Sequence, residues 1–287
     1  MSRELTIVKL SSGSFAIRSQ AYAETMHPGL GPVAEAESLY VSQLNLRQRI
    51  AAHTGEFVVW DVGLGAAANA LTLLRLTHDS RCPLRLISFD NTSAPLDFAI
   101  QHASELVYPQ GHESHLKELS ARHHLTFDTG SRRVDWKLVL ADFPSFVTMP
   151  EAAAMTKPHA ILYDAFSPAR NPAMWTQSVF NNLFGLLDSS RPCSLTTYSR
   201  STLVRVSMLL AGFFVGRGRP TGLKEETTVA ANDLLLLDEP LDARWLERAA
   251  KSTSAEPLTH DEYRRAPLSP FNLNALRRHP QFRRVHI

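Results

Sequence analysis

Cysteine is scarce: the 287-residue chain carries only Cys82 and Cys193, far apart and outside any CxxC pairing. That scarcity argues against a disulfide-stapled secreted scaffold and a cysteine-based zinc site, and implies two reduced, mostly buried thiols. Long apolar runs are missing too. No stretch approaches the roughly 20 residues of a membrane span, and the opening MSRELTIVKL lacks the apolar centre of a signal peptide. The expectation is a cytoplasmic chain that touches no membrane and holds no metal. Net charge is only +2, too little to establish a nucleic-acid partner. Arginines nevertheless crowd the end of the chain, at 264, 265, 277, 278, 283 and 284. Such a tail can track phosphates or can be an ordinary solvated surface.

With 44% hydrophobic and 20% charged residues, the chain has the balance of a folded globular protein rather than a disordered one. Apolar strand-like runs alternate with helix-like segments. EFVVWDVG runs into a glycine turn and the helical AAANALTLLRL; PLRLISFD precedes SAPLDFAIQHASEL; WKLVLAD follows. HAILYD precedes MWTQSVFNNLFGLL, and CSLTTYS precedes TLVRVSMLLAG, with FFVGRGRP and KEETTVAAN as a closing hairpin. This order predicts an α/β, Rossmann-like fold with a mainly parallel seven-stranded sheet and a C-terminal antiparallel hairpin. Residues 1–50 read as a small N-terminal extension packing on the core and capping its site. Residues 51–238 read as the main domain, and 239–287 as a basic C-terminal appendage.

In such sheets ligands bind beyond the carboxyl ends of the strands. Three successive strands end there on an acid: Asp90, Asp142 and Asp164. Gly63 and Gly65 lie in the turn before the first helix, where backbone can approach a ligand closely. The third glycine of a dinucleotide fingerprint is replaced by Ala68, which disfavours NAD or FAD. Asp90 stands where an acid accepts from ribose hydroxyls. Asp142 and Phe143 stand where a carboxylate can take the exocyclic amine of an adenine and a ring can cover it. Taken singly, Asp142 is as readily a helix N-cap. Jointly with the glycines and Asp90, these residues favour S-adenosyl-L-methionine as cofactor.

The segment YDAFSPARNPAMWTQSVFNNL resembles DGFSPAKNPEMW of the MnmC family, tRNA-modifying methyltransferase modules acting on the wobble uridine. The match covers Asp164, Phe166, Ser167, Pro168, Asn171, Pro172, Met174 and Trp175. DVGLGAAANALTLL is similar to that family's GFGTGLN turn, with Gly63, Gly65 and Asn69 in register, and SFDNTSAPL to its SFEK-type segment. YAETMHPGLGPVAEAESLYV, TTYSRSTLVRVSMLLAGF and GLKEETTVA also resemble family segments, so the likeness spans residues 15 to 235. Departures are Ala66 and Ala67 in the turn, Ala165 after Asp164, and Glu225 where the family often has arginine. The family's flavin-dependent oxidase module is absent from the sequence. The likeness therefore implies a stand-alone methyltransferase acting on an aminomethyl group that is already made.

The resemblance implies methyl transfer from S-adenosyl-L-methionine to the amine of 5-aminomethyl-(2-thio)uridine in tRNA. The amine must first lose a proton, since an ammonium has no lone pair. Asp164 is the first candidate to hold the amine and take that proton or pass it to water, and Glu226 the second. Gly63, Gly65, Asn69, Asp90, Asp142, Phe143 and Asp164 are the expected cofactor contacts. Phe166, Trp175 and Lys224 are the expected substrate contacts, the rings stacking on or walling in the base. Against these stand plainer roles: a turn cap for Asp164, core for Trp175, a surface ion pair for Lys224 and Glu226. Tyr22, Glu24 and His27 read either as a lid or as a surface loop. The expected state is a monomer. Competing functions are methylation of another small amine or natural product, and non-catalytic binding of cofactor or RNA. A nicotinamide dehydrogenase ranks behind these, with no hydride-transfer constellation visible.

Overall fold

The computed structural model describes residues 4–221 and 225–283. Eleven strands form two sheets among them. The smaller is antiparallel, built from β1 (Leu5–Lys9), β2 (Phe15–Ser19) and β3 (Glu24–Thr25). The larger comprises β4 (Phe57–Val62), β5 (Leu84–Asp90), β6 (His124–Asp128), β7 (Arg133–Leu140), β8 (Ala160–Tyr163), β9 (Ser194–Thr197), β10 (Phe214–Gly218) and β11 (Thr227–Ala231). Its order is β10-β11-β9-β8-β4-β5-β7-β6.

The five central strands, β9-β8-β4-β5-β7, run parallel, and antiparallel strands flank them on both sides. The seven strands read from the sequence are all present, and β6 is the eighth. It escaped notice because HLTFD is half polar, and only Leu125 of its residues is fully buried. An edge strand needs one apolar face at most. The central strands are the opposite case: every residue of β4, β8 and β9 is buried, as parallel strands covered on both faces require.

Alternation along β4 sorts its side chains between the two faces. Val58, Trp60 and Val62 join a core shared with the helices Gln177–Gly185 and Thr202–Leu210. Phe57 and Val59 join the opposite core, under the helix Ala68–Leu76. Two C-terminal helices, Ala243–Ala250 and Pro270–Arg277, add Trp245, Leu246 and Leu276 to the first core. The chain leaves β4 toward β5 and β7 on one side, then returns to β8 and β9 on the other. The switch point is therefore the gap between the carboxyl ends of β4 and β8, the place where such sheets bind ligands.

Among the described residues, no helix is long and apolar enough to cross a membrane.

Candidate active site

A cavity of about 1280 Å³ opens at that switch point. Its floor is the turn after β4. Gly63 has φ 91°, and a Cβ there would stand 2.6 Å from the Asp164 carbonyl oxygen, so only glycine allows β4 and β8 to meet this closely. Gly65 follows at φ 52° and donates its N–H to Asp90 Oδ2 at 2.8 Å. Ala67 holds the left-handed conformation that precedes the helix Ala68–Leu76, φ 64°, without a glycine.

The three strand-end acids converge as the strand order predicts. Asp90, Asp142 and Asp164 all line the cavity, and Phe143 and Phe166 line it with them. Asp142 also caps the short helix Phe143–Phe146, accepting from Ser145 N and Oγ. The capping role and the cavity position belong to one side chain. Asp90 is pushed above the usual carboxylate range by burial, and the backbone N–H groups of Gly65, Thr92 and Asn91 oppose that push. Asp164 Oδ2 accepts from Asn69 Nδ2 at 2.8 Å and lies 3.6 Å from His27 Nε2. Burial, reinforced by the charge of Asp164, drives the hydroxyls of Tyr40 and Tyr198 further into their neutral form.

Three expectations change, and a fourth falls outside the described residues. Trp175 does not face the cavity: it is 0% exposed, packs on Tyr163 and Phe180, and donates Nε1 to the Phe166 carbonyl at 2.8 Å. It supports Phe166 from behind. Glu226 also lies outside the cavity wall, with Oε1 2.9 Å from Arg205 Nη1 and Oε2 3.5 Å from Arg217 Nε. Arg205 is only 2% exposed and draws that carboxylate inward as its counter-charge. Asn69 is buried beside the cavity and reaches it through Asp164. Lys224 falls outside the described residues.

The N-terminal sheet closes the cavity from above. Glu24 on β3 accepts from Ser167 N at 3.0 Å and from Ser167 Oγ, and Tyr22 stacks on Phe166 with ring centroids 4.2 Å apart. Met26 and His27 therefore sit over the glycine turn, with Glu35 behind them. Tyr198, just past β9, lines the wall and donates to the Ala165 carbonyl at 2.9 Å. Sequence reasoning left Tyr198 and Glu35 out. An acid in helical polar sequence and a tyrosine after a strand carry no signal of their own.

Charge fits a cationic ligand. Glu24, Glu35, Asp90, Asp142 and Asp164 line the space, and Arg18 is the guanidinium set against them. A donor bearing a sulfonium and an ammonium suits such walls. The bare backbone at Gly63 and Gly65 leaves room for it to lie against the turn.

Comparison with known proteins agrees with this geometry. Residues 105–233 match a family model described as S-adenosyl-L-methionine-dependent methyltransferase. The crystal structure of MNMC2 from Aquifex aeolicus superposes with a TM-score of 0.69 at 20% identity, covering 95% of this chain and 84% of that one. A spermidine synthase in complex with the transition-state analogue AdoDATO superposes at 0.52 and 13% identity, covering 95% and 83%. The chain is thus an S-adenosyl-L-methionine-dependent methyltransferase with that molecule as its cofactor. In fold it is similar to MNMC2 over nearly its whole length, the likeness that the DAFSPARNPAMW segment suggested.

Proposed function

We propose that this enzyme methylates the amine of 5-aminomethyl-(2-thio)uridine at the wobble position of tRNA. The observation that carries the reading is the meeting of Asp164 with Phe166 at the cavity wall. A carboxylate there suits an amine, and a ring there suits a pyrimidine base. The likeness of fold to MNMC2 and the resemblance of DAFSPARNPAMW to the MnmC family's DGFSPAKNPEMW support this acceptor.

In this reading the backbone at Gly63 and Gly65 cradles the amino-acid portion of the cofactor. Asp90 accepts from the ribose hydroxyls, while Asp142 and Phe143 hold the adenine. When bound, S-adenosyl-L-methionine supplies an electrophilic methyl carbon on a positively charged sulfur. The protein's task is then alignment, and holding amine and methyl group in line accounts for most of the rate. Asp164 orients the amine by accepting its hydrogen bonds. Asn69 fixes Asp164, and the N-terminal sheet excludes water. Glu226 takes no part, because its oxygens serve the two arginines.

The carboxylate-rich wall favours a second reading, a small cationic amine as acceptor. One experiment separates the two. Radiolabelled cofactor is incubated with tRNA from cells lacking this methylation, with small primary amines in parallel, and with Asp164→Ala as control. Label in the wobble nucleoside that the variant loses supports the tRNA reading. Label only in the small amines overturns it.

A further inference from the structure

We propose that His27 is the group that takes the proton from the acceptor amine, a step that rests on the amine-methyltransferase reading above. Its Nε2 lies 3.6 Å from Asp164 Oδ2, beyond hydrogen-bond length, at the cavity wall. Nδ1 is buried without a hydrogen-bond partner and lies 3.9 Å from Glu35 Oε1. A purely structural histidine in so closed a place ordinarily satisfies both ring nitrogens. This one leaves Nδ1, on the Glu35 side, unsatisfied, and holds Nε2 just outside hydrogen-bond reach of Asp164.

The backbone points the same way. His27 has φ 51°, a left-handed conformation that costs free energy in a residue bearing a side chain. The fold holds it there from three sides. Met26 N donates to the Ile17 carbonyl at 2.8 Å, Glu24 clasps Ser167, and Tyr22 stacks on Phe166. The whole N-terminal sheet is thereby tied to the segment carrying Asp164.

Chemistry divides the labour between the two residues. Asp164 Oδ2 is already engaged by the hydrogen bond from Asn69, which suits that carboxylate to orienting the amine. An imidazole nitrogen with a free lone pair can take a proton from an ammonium and pass it on to water, the general-base role that histidine fills most often. The nitrogen–hydrogen bond of the ammonium breaks, its electron pair stays on nitrogen, and the proton bonds to His27 Nε2. Asp164 and Glu35 flank the imidazolium and stabilise it; solvent at the cavity mouth then takes the proton. The other titratable groups lining the cavity are Glu4, Arg18, Tyr22 and Glu24 from the N-terminal segment, Asp90 and Asp97 at and after β5, Asp142 after β7 and Tyr198 after β9.

The test pairs His27→Gln with the native enzyme, using undermodified tRNA and a small primary amine as acceptors. Near pH 7 the variant's kcat should fall about 100-fold, recovering as pH rises and the amine deprotonates unaided. Its affinity for S-adenosyl-L-methionine by calorimetry should stay within about twofold. Histidine NMR of the native protein, with the His27 signal assigned by its loss in the variant, should show that ring's titration shift when the aminomethyl nucleoside binds. A variant with native kcat and an unchanged pH profile, or a ring insensitive to the nucleoside, overturns the proposal. If tRNA is not methylated but the small amine is, with the same His27 dependence, the tRNA reading falls and this one stands. If native enzyme methylates no amine, both fall.

Discussion

Asn69 Nδ2 donates to Asp164 Oδ2 at 2.8 Å, joining the first turn of one helix to the end of a strand 95 residues further along the chain. The bond crosses the switch point of the sheet. It fixes which way the Asp164 carboxylate faces before any substrate arrives.

On the proposed role of Asp164 in orienting the acceptor amine, Asn69→Ala should lower kcat by roughly tenfold, because a carboxylate free to rotate is aligned less often. Stability should drop by only about 1 kcal/mol, the usual worth of one hydrogen bond. Single-turnover kinetics beside thermal unfolding would check both. An unchanged kcat would mean that Asp164 keeps its orientation without Asn69.

Gly63→Ala is expected to be far more damaging. Its new Cβ would sit 2.6 Å from the Asp164 carbonyl oxygen, at a φ of 91° that alanine resists. Strain and overpacking together should cost roughly 2–4 kcal/mol. Urea unfolding gives the stability, and calorimetry should show loss of cofactor affinity in whatever remains folded. Native values for both would refute the role assigned to that close approach.

Glu226→Ala should leave methyl transfer per folded molecule unchanged and weaken the fold. Arg205 donates to Glu226 at 2.9 Å, to Thr228 Oγ1 at 2.9 Å and to the Thr227 carbonyl at 2.7 Å from a buried position. Removing its counter-charge should cost about 1–3 kcal/mol, less than a fully buried pair because Glu226 is partly exposed. A tenfold fall in kcat at native stability would return Glu226 to the reaction.

Asp61 predicts a pH dependence. It is fully buried on β4, accepts from Ser88 Oγ at 2.9 Å, and leaves Oδ1 without a partner. Burial pushes its carboxyl up to about 8; nearby Asp164 and Asp90 add to the push and Ser88 opposes it. The folded protein then holds this proton more tightly than the unfolded chain, where an aspartate titrates near pH 4. That stabilisation is complete below about pH 4 and is lost as pH rises through about 8. Asp61→Asn should flatten the fall in Tm between about pH 5 and 9, and be the more stable protein at the alkaline end. Parallel curves for the two proteins would sink the assignment.

Residue type and spacing alone were enough for the frame. Strands buried on both faces must be continuously apolar, so HAILYD and EFVVWDVG announce a parallel sheet, and acids closing three of its strands must gather at one edge. Gly63 and Gly65 were legible because a strand-to-helix turn needing positive φ favours them. Side-chain direction and long-range partnership were not legible. Trp175 lies in a segment rich in site residues yet points into the core. Glu226 looks like a base until Arg205, 21 residues away, claims it. Glu24 reaches Ser167 across 143 residues, and His27 comes to Asp164 only because that clasp folds the N-terminal sheet over the cavity. Periodicity reports which face of an element is buried. What lies on the other side of that face depends on how the chain returns, and only the tertiary structure decides it.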